Sequence, residues 1–114
     1  MKMIDSPSLT LETAASKFAA LGSEQRLLVL HTMVRAGPDG LSIGELGERC
    51  GITGSTLTHH LKILSAAGLV KQEKQGRSTI CAGADIAEVE ALSDYLLSQC
   101  CADCDTPSKD HRHG

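Results

Sequence analysis

The sequence predicts a mainly helical domain carrying one β-hairpin, in the order α-α-α-α-β-β-α. Three observations lead there. The chain has 114 residues, the size of one domain with one core. Four stretches before residue 68 place apolar residues at helical spacing between turn residues, and a fifth follows residue 85. Between them lie two short strand-like runs joined by Gln75-Gly76-Arg77. A hydrophobic content of 41% is that of a globular chain rather than a disordered one.

Residues 10–21, TLETAASKFAAL, are rich in Ala and Leu and open a helix at Thr10. Ser23 caps a second helix, although Arg26 rather than Glu stands at the capping-box position. Leu27, Leu28, Leu30, His31 and Val34 follow at helical spacing, and Gly37-Pro38-Asp39-Gly40 ends the run because Pro38 cannot continue a helix. Ser42 with Glu45 three residues on is the capping-box pattern for a short third helix over 43–50, closed by Gly51. Thr53 or Ser55 caps a fourth helix reaching residue 67. Its apolar positions are Leu57, Leu61, Ile63, Leu64 and Ala67, with Ser55, Thr56, His59 and Lys62 on or near the opposite face. Gly68 ends it. Residues 69–74 and 78–82 read as the hairpin strands, and residues 85 to about 99 as a last helix with Ile86, Val89, Leu92, Leu96 and Leu97 apolar. Residues 1–9 read as a flexible N-terminus, 10–101 as the domain, and 102–114 as a tail that includes Cys104.

Composition excludes several classes of function. The aromatic residues are Phe18 and Tyr95 alone, too few for the stacking platforms of single-strand and RNA readers. No apolar run approaches the roughly 20 residues of a membrane helix, and MKMIDSPSLT holds no apolar signal region, so a cytoplasmic protein is expected. No nucleophile-base-orienter set, phosphate loop or catalytic metal motif is present, so no enzyme is expected. The net charge of −3 at first argues against a nucleic-acid partner. Its distribution argues the other way: residues 53–82 carry a balance of +3 and residues 85–114 a balance of −5.

Two short helices joined at a glycine, followed by a basic hairpin, form the pattern of a winged helix-turn-helix. In that arrangement the second helix enters the major groove, which admits a helix, and its exposed residues must be small or polar to reach base edges. Ser55, Thr56, Thr58, His59 and Lys62 meet that need, and Lys74 and Arg77 at the hairpin tip would meet phosphates or the adjacent minor groove. For each residue taken singly, a solvated helix face explains it as well; the ordered set favours double-stranded DNA. His59 and His60 are adjacent rather than four apart, a poor metal pair, so one ring is expected to face out and the other to pack.

The segments LGSEQRLLVL (21–30), LSIGELGERCGITGSTLTHHLKILSAAGLV (41–70) and KQEKQGRSTI (71–80) resemble the ArsR-type family of winged-helix metalloregulatory repressors, most specifically over residues 55–70. The resemblance covers roughly residues 12–100. It implies a homodimer joined through the first and last helices, and repression of transcription relieved when an effector binds. Independently, the apolar stripe of the last helix and the Ala-rich first helix need something to cover them.

Five cysteines in a reducing compartment point to metal or redox chemistry rather than structural disulfides. Cys100, Cys101 and Cys104 cluster where the last helix ends. If helical, the pairs Cys101–Cys104 and Cys100–Cys104 would have Cβ atoms about 5–6 Å apart, and uniting all three thiols would require unwinding. Three thiolates with no nearby His or carboxylate of obvious ligand geometry form a soft site, which suits As(III) or Sb(III), with Hg²⁺, Pb²⁺, Cd²⁺ and Bi(III) as competitors and four-ligand Zn²⁺ less well served. Two alternatives stay open: inert packed thiols, or a redox switch closing Cys101 onto Cys104. A soft-metal-buffering protein without DNA specificity is a third possibility.

Family comparison narrows the ligand sites. Where relatives carry paired cysteines in the third helix, this chain has Ser42, Ile43 and Gly44; where a last-helix Zn²⁺ site needs Asp and several His, only Asp85 is present. The end-of-helix cysteine cluster of some arsenic repressors in the family is the pattern that Cys100, Cys101 and Cys104 resemble, with a shorter spacing to the third thiol. Cys50 and Cys81 read as packed residues, and Asp110-His111-Arg112-His113 as a solvated end.

Overall fold

The computed structural model describes residues 9–76 and 79–104. The order is α1 (Leu11–Ala20), α2 (Glu24–Ala36), β1 (Leu41–Ser42), α3 (Ile43–Cys50), α4 (Gly54–Ala66), β2 (Val70–Gln75), β3 (Thr79–Ala84) and α5 (Ile86–Leu97). Five helices and the hairpin are as expected. The addition is β1, two residues long and too short to show an alternating pattern in sequence. It pairs antiparallel with β3, Leu41 opposite Ala82 and Ser42 opposite Cys81. The sheet therefore has the order β1-β3-β2, all antiparallel, with Val70 opposite Ala84 and Gln75 opposite Thr79 at the two ends of the hairpin.

Local chemistry sets the helix starts. Oγ1 of Thr10 accepts from the Thr13 N–H, and Oγ of Ser23 accepts from the Arg26 N–H. Ser42 and Glu45 complete the capping box in both directions, at 3.1 Å each. Thr53 is the cap residue of α4 but its side chain makes no capping bond. Gly51 closes α3 in the left-handed region, φ +71, the conformation that lets α4 leave at a sharp angle.

The core forms around α2, which packs on α3, α4 and β3. Val29 and Met33 of α2, Leu46 of α3, Leu57 and Leu64 of α4, and Leu69 before the hairpin are its largest fully buried side chains. Leu92 of α5 is buried as well, with Val89 and Tyr95 half-buried against the same cluster. Cys50 packs there as expected. Cys81 instead lines a surface cleft beside β2 with Lys71, Glu73 and Asp85.

The pairing of His59 and His60 divides as the sequence suggests. His59 faces out; the His60 ring, 7% exposed, lies under α4, where its Nε2 stands 2.9 Å from Oε1 of Gln25 on α2. The Gln25 oxygen accepts, so Nε2 carries the proton and Nδ1 is left buried without a partner. Burial, reinforced by the charges of Arg26 and His59, pushes the His60 pKa down.

Two outcomes follow from this packing. Met33→Ala empties the centre of the core and should cost about 2–5 kcal/mol, read by urea denaturation. His60 is held neutral, so the unfolded chain binds the extra proton; stability should be intact above the unfolded pKa of about 6.5 and fall as pH drops below it. Melting curves from pH 7.5 to 5 should show a shallower loss in His60→Gln than in the natural sequence.

Candidate nucleic-acid interface

Once Leu57, His60, Leu61 and Leu64 turn inward, the opposite face of α4 is fixed. Ser55, Thr56, Thr58, His59 and Lys62 are all exposed. Ser55, His59 and Lys62 stand at i, i+4 and i+7, which aligns them along one helical stripe. Thr58 sits to the side of it. Its hydroxyl donates back to the Gly54 carbonyl at 3.3 Å, and it borders a cleft of about 510 Å³ shared with Ser42, Gly44, Gln72 and Ile80. Its methyl is therefore freer to make an outside contact than its hydroxyl is.

Lys74 is exposed on β2 near the turn, opposite Ile80 of β3. Arg77, the other basic residue expected at the tip, lies outside the described residues. A contact that sequence reasoning missed ties the hairpin to α4: Nε2 of Gln72 donates to Oγ of Ser65 at 3.1 Å. No motif marks this pair, because it depends on the register between a strand and a helix. Lys71 also adds to the basic segment, but its ammonium is drawn toward Asp85, 3.8 Å away.

The thiol cluster lies beyond the end of the last helix and is not helical. α5 ends at Leu97, short of the cysteines, and three successive turns follow. The N–H of Cys100 donates to Leu97 O at 2.9 Å, that of Ala102 to Gln99 O at 2.9 Å, and that of Cys104 to Cys101 O at 3.0 Å. Cys101 takes φ +65, which stops any helix. The last turn of α5 has no basic residue to favour the helix end, and Cys is a weak helix former. The unwinding that a three-thiol site requires is thus already present.

Cys100, Cys101 and Cys104 are free and exposed. The Sγ atoms of Cys100 and Cys101 lie 3.7 Å apart. An ion about 2.3 Å from each sulfur, the Zn–S length, spans ~3.8 Å at a tetrahedral angle. The adjacent pair is therefore at a ligating separation. A hydrogen bond between the two thiols, and the charge Cys101 gains on ionising, push the Cys100 pKa up. Among the described residues no three His, Cys, Asp or Glu side chains converge as a metal site, so Cys104 does not close on the pair.

Comparison with known proteins fits this geometry. A helix-turn-helix domain family model matches residues 21–73, the span from the start of α2 into β2. The uncharacterized HTH-type transcriptional regulator YceK of Bacillus subtilis is 41% identical over 64 residues, 56% of this chain and 63% of that protein. The HTH-type transcriptional regulator NmtR of Mycobacterium tuberculosis is 34% identical over 82 residues, 72% of this chain and 66% of that protein. The chain thus spans just under two thirds of each of these curated relatives. An ArsR-like transcriptional regulator from Rhodococcus sp. RHA1 superposes with a TM-score of 0.67 at 32% identity, over 82% of this chain and 84% of that one. These relatives are transcriptional regulators and not enzymes, as the sequence leads one to expect. With the helix-turn-helix, the hairpin and this likeness together, the chain belongs to the ArsR family of winged helix-turn-helix transcriptional regulators.

Proposed function

We propose that the protein is a homodimeric repressor that binds operator DNA through α4 and the hairpin and is released when As(III) or Sb(III) binds Cys100, Cys101 and Cys104. The observation that carries the DNA half is the exposed stripe Ser55, His59 and Lys62 on a helix whose other face is buried. Ser55, Thr56, Thr58, His59 and Lys62 are of a kind to read base edges, and Lys74 and Arg77 are the charges for phosphates or the adjacent minor groove. The dimer is supported by apolar side chains left uncovered on α1 and α5: Leu11 at 74%, Leu96 at 66% and Leu97 at 65% exposure, with Phe18 beside them in class. Two-fold symmetry would set the two reading helices about 34 Å apart on a pseudo-palindromic site.

The metalloid half is supported by the close Cys100–Cys101 pair in a segment already turned out of the helix. Arsenite enters as neutral As(OH)₃; each thiol that bonds to arsenic releases its proton to a departing hydroxide, and water leaves. Three such exchanges free three waters and no net proton. A divalent cation binding the same thiols must drive protons into solution instead. Cys104 joins by closing the short turn that its N–H bond to Cys101 O defines. That closure pulls on the end of α5 and, through the dimer, on the spacing of the reading helices.

Fluorescence anisotropy with DNA from upstream of the protein's own gene tests both halves. Reduced protein should bind it specifically, and As(III) or Sb(III) should weaken binding by a factor in the range of about 5–150. Replacing Cys100, Cys101 and Cys104 together by Ser should keep DNA affinity and abolish release. Peroxide-driven release without metalloid would move the thiols to a redox role, and binding without sequence preference would remove the repressor. In the same assay Lys74→Ala should weaken binding to all sequences alike and reduce the salt slope by about 1.

A further inference from the structure

Lys17 is in the last turn of α1, yet it is only 7% exposed, a rare state for a lysine. Its stem fills the space between α1, α4 and α5. Its ammonium donates to the carbonyl of Ala67 at 2.5 Å and stands 3.3 Å from Oε1 of Glu88. Ala67 is the C-cap of α4, where carbonyls lack helical partners and the helix dipole is negative. Glu88 lies in the first turn of α5. Gly68 completes the seat: it sits at φ +79, and a Cβ there would lie 3.0 Å from the ammonium nitrogen. One buried charge therefore has one acceptor on the reading helix and another on the helix that leads to the cysteines.

We propose that Lys17 is a positioning residue that locks the C-terminal end of α4 to α5, so that a shift of α5 is passed to the reading helix through its ammonium. A buried cation tolerates the loss of an acceptor poorly. When Glu88 moves away, the ammonium either stays with a single acceptor or follows into the shallow cleft of about 400 Å³ bordered by Glu12, Ser16, Ala67 and Gly68. The first cuts the α4–α5 link, and the second also removes the bond to Ala67 O and loosens the end of α4. Linkage makes the effect reciprocal: α4 held on DNA holds Lys17, and Lys17 then holds α5 in place. The DNA and metalloid roles of the two ends rest on the function proposed above; the α4–α5 lock does not.

The test uses the full chain with Glu88→Gln and Lys17→Met, which remove charge and keep shape, and Glu90→Gln on the exposed side of α5 as control. The first readout is amide hydrogen exchange of Ala67, Gly68 and Leu69, whose N–H groups close the end of α4, in protein free of DNA and metalloid. Glu88→Gln should speed it about tenfold, with Glu90→Gln unchanged. The double variant should exchange no faster than Lys17→Met alone, because both act on one link. The second readout is operator affinity with and without arsenite: the ratio should shrink about tenfold in both charge-removing variants. Unchanged exchange in Glu88→Gln, or arsenite release in both variants equal to that of the natural sequence, overturns the proposal. Faster exchange in a protein that binds no specific DNA would retain the α4–α5 lock and refute the repressor.

Discussion

The structure depends on α2 being shared. A domain of this size has one core to distribute among several elements, and α2 is the helix that touches α3, α4 and β3 together. Val29, Leu30 and Met33 supply its inward surface. Because α4 must offer Leu57, Leu61 and Leu64 to that surface, the helix cannot rotate without exposing them. The direction in which Ser55, His59 and Lys62 point is thus a by-product of core packing. The Gln72–Ser65 bond keeps the hairpin beside α4.

Basic side chains do a second structural task here. Arg26 of α2 donates to Ala20 O at the end of α1, and Lys17 of α1 donates to Ala67 O at the end of α4. Each helix end is satisfied by a cation from another helix, which suits the negative pole of the helix dipole. Angles between helices are consequently set by polar contacts at their ends as well as by the apolar core between them.

Much of the fold was legible because its signals are local. The Ser42–Glu45 capping box, the Gly51 turn and the alternation of apolar positions along α4 all lie within a few residues of one another. What escaped was non-local. β1 exists only because Leu41 and Ser42 meet β3 some forty residues later, so nothing within two residues could announce it. Nothing local marks Lys17, since a lysine's burial depends on partners at Ala67 and Glu88. That one of His59 and His60 packs follows from their adjacency, but the partner of the buried ring, Gln25, is on a different helix. For the candidate site, the exposed α4 residues followed from periodicity. The position of the thiols did not, because the left-handed turn at Cys101 is taken by a residue type that does not advertise it.

The strand order has one more consequence. β3 is in the middle of the sheet, so β2 is an edge strand with a row of backbone donors and acceptors facing outward. Such an edge is a template onto which another chain can stack. On β2 the exposed side chains are Lys71, Gln72, Glu73 and Lys74, three of them charged. A strand laid alongside would have to desolvate those charges. Lys71, Glu73 and Lys74 therefore guard the chain against aggregation, and a variant that neutralised them would leave the protein less soluble.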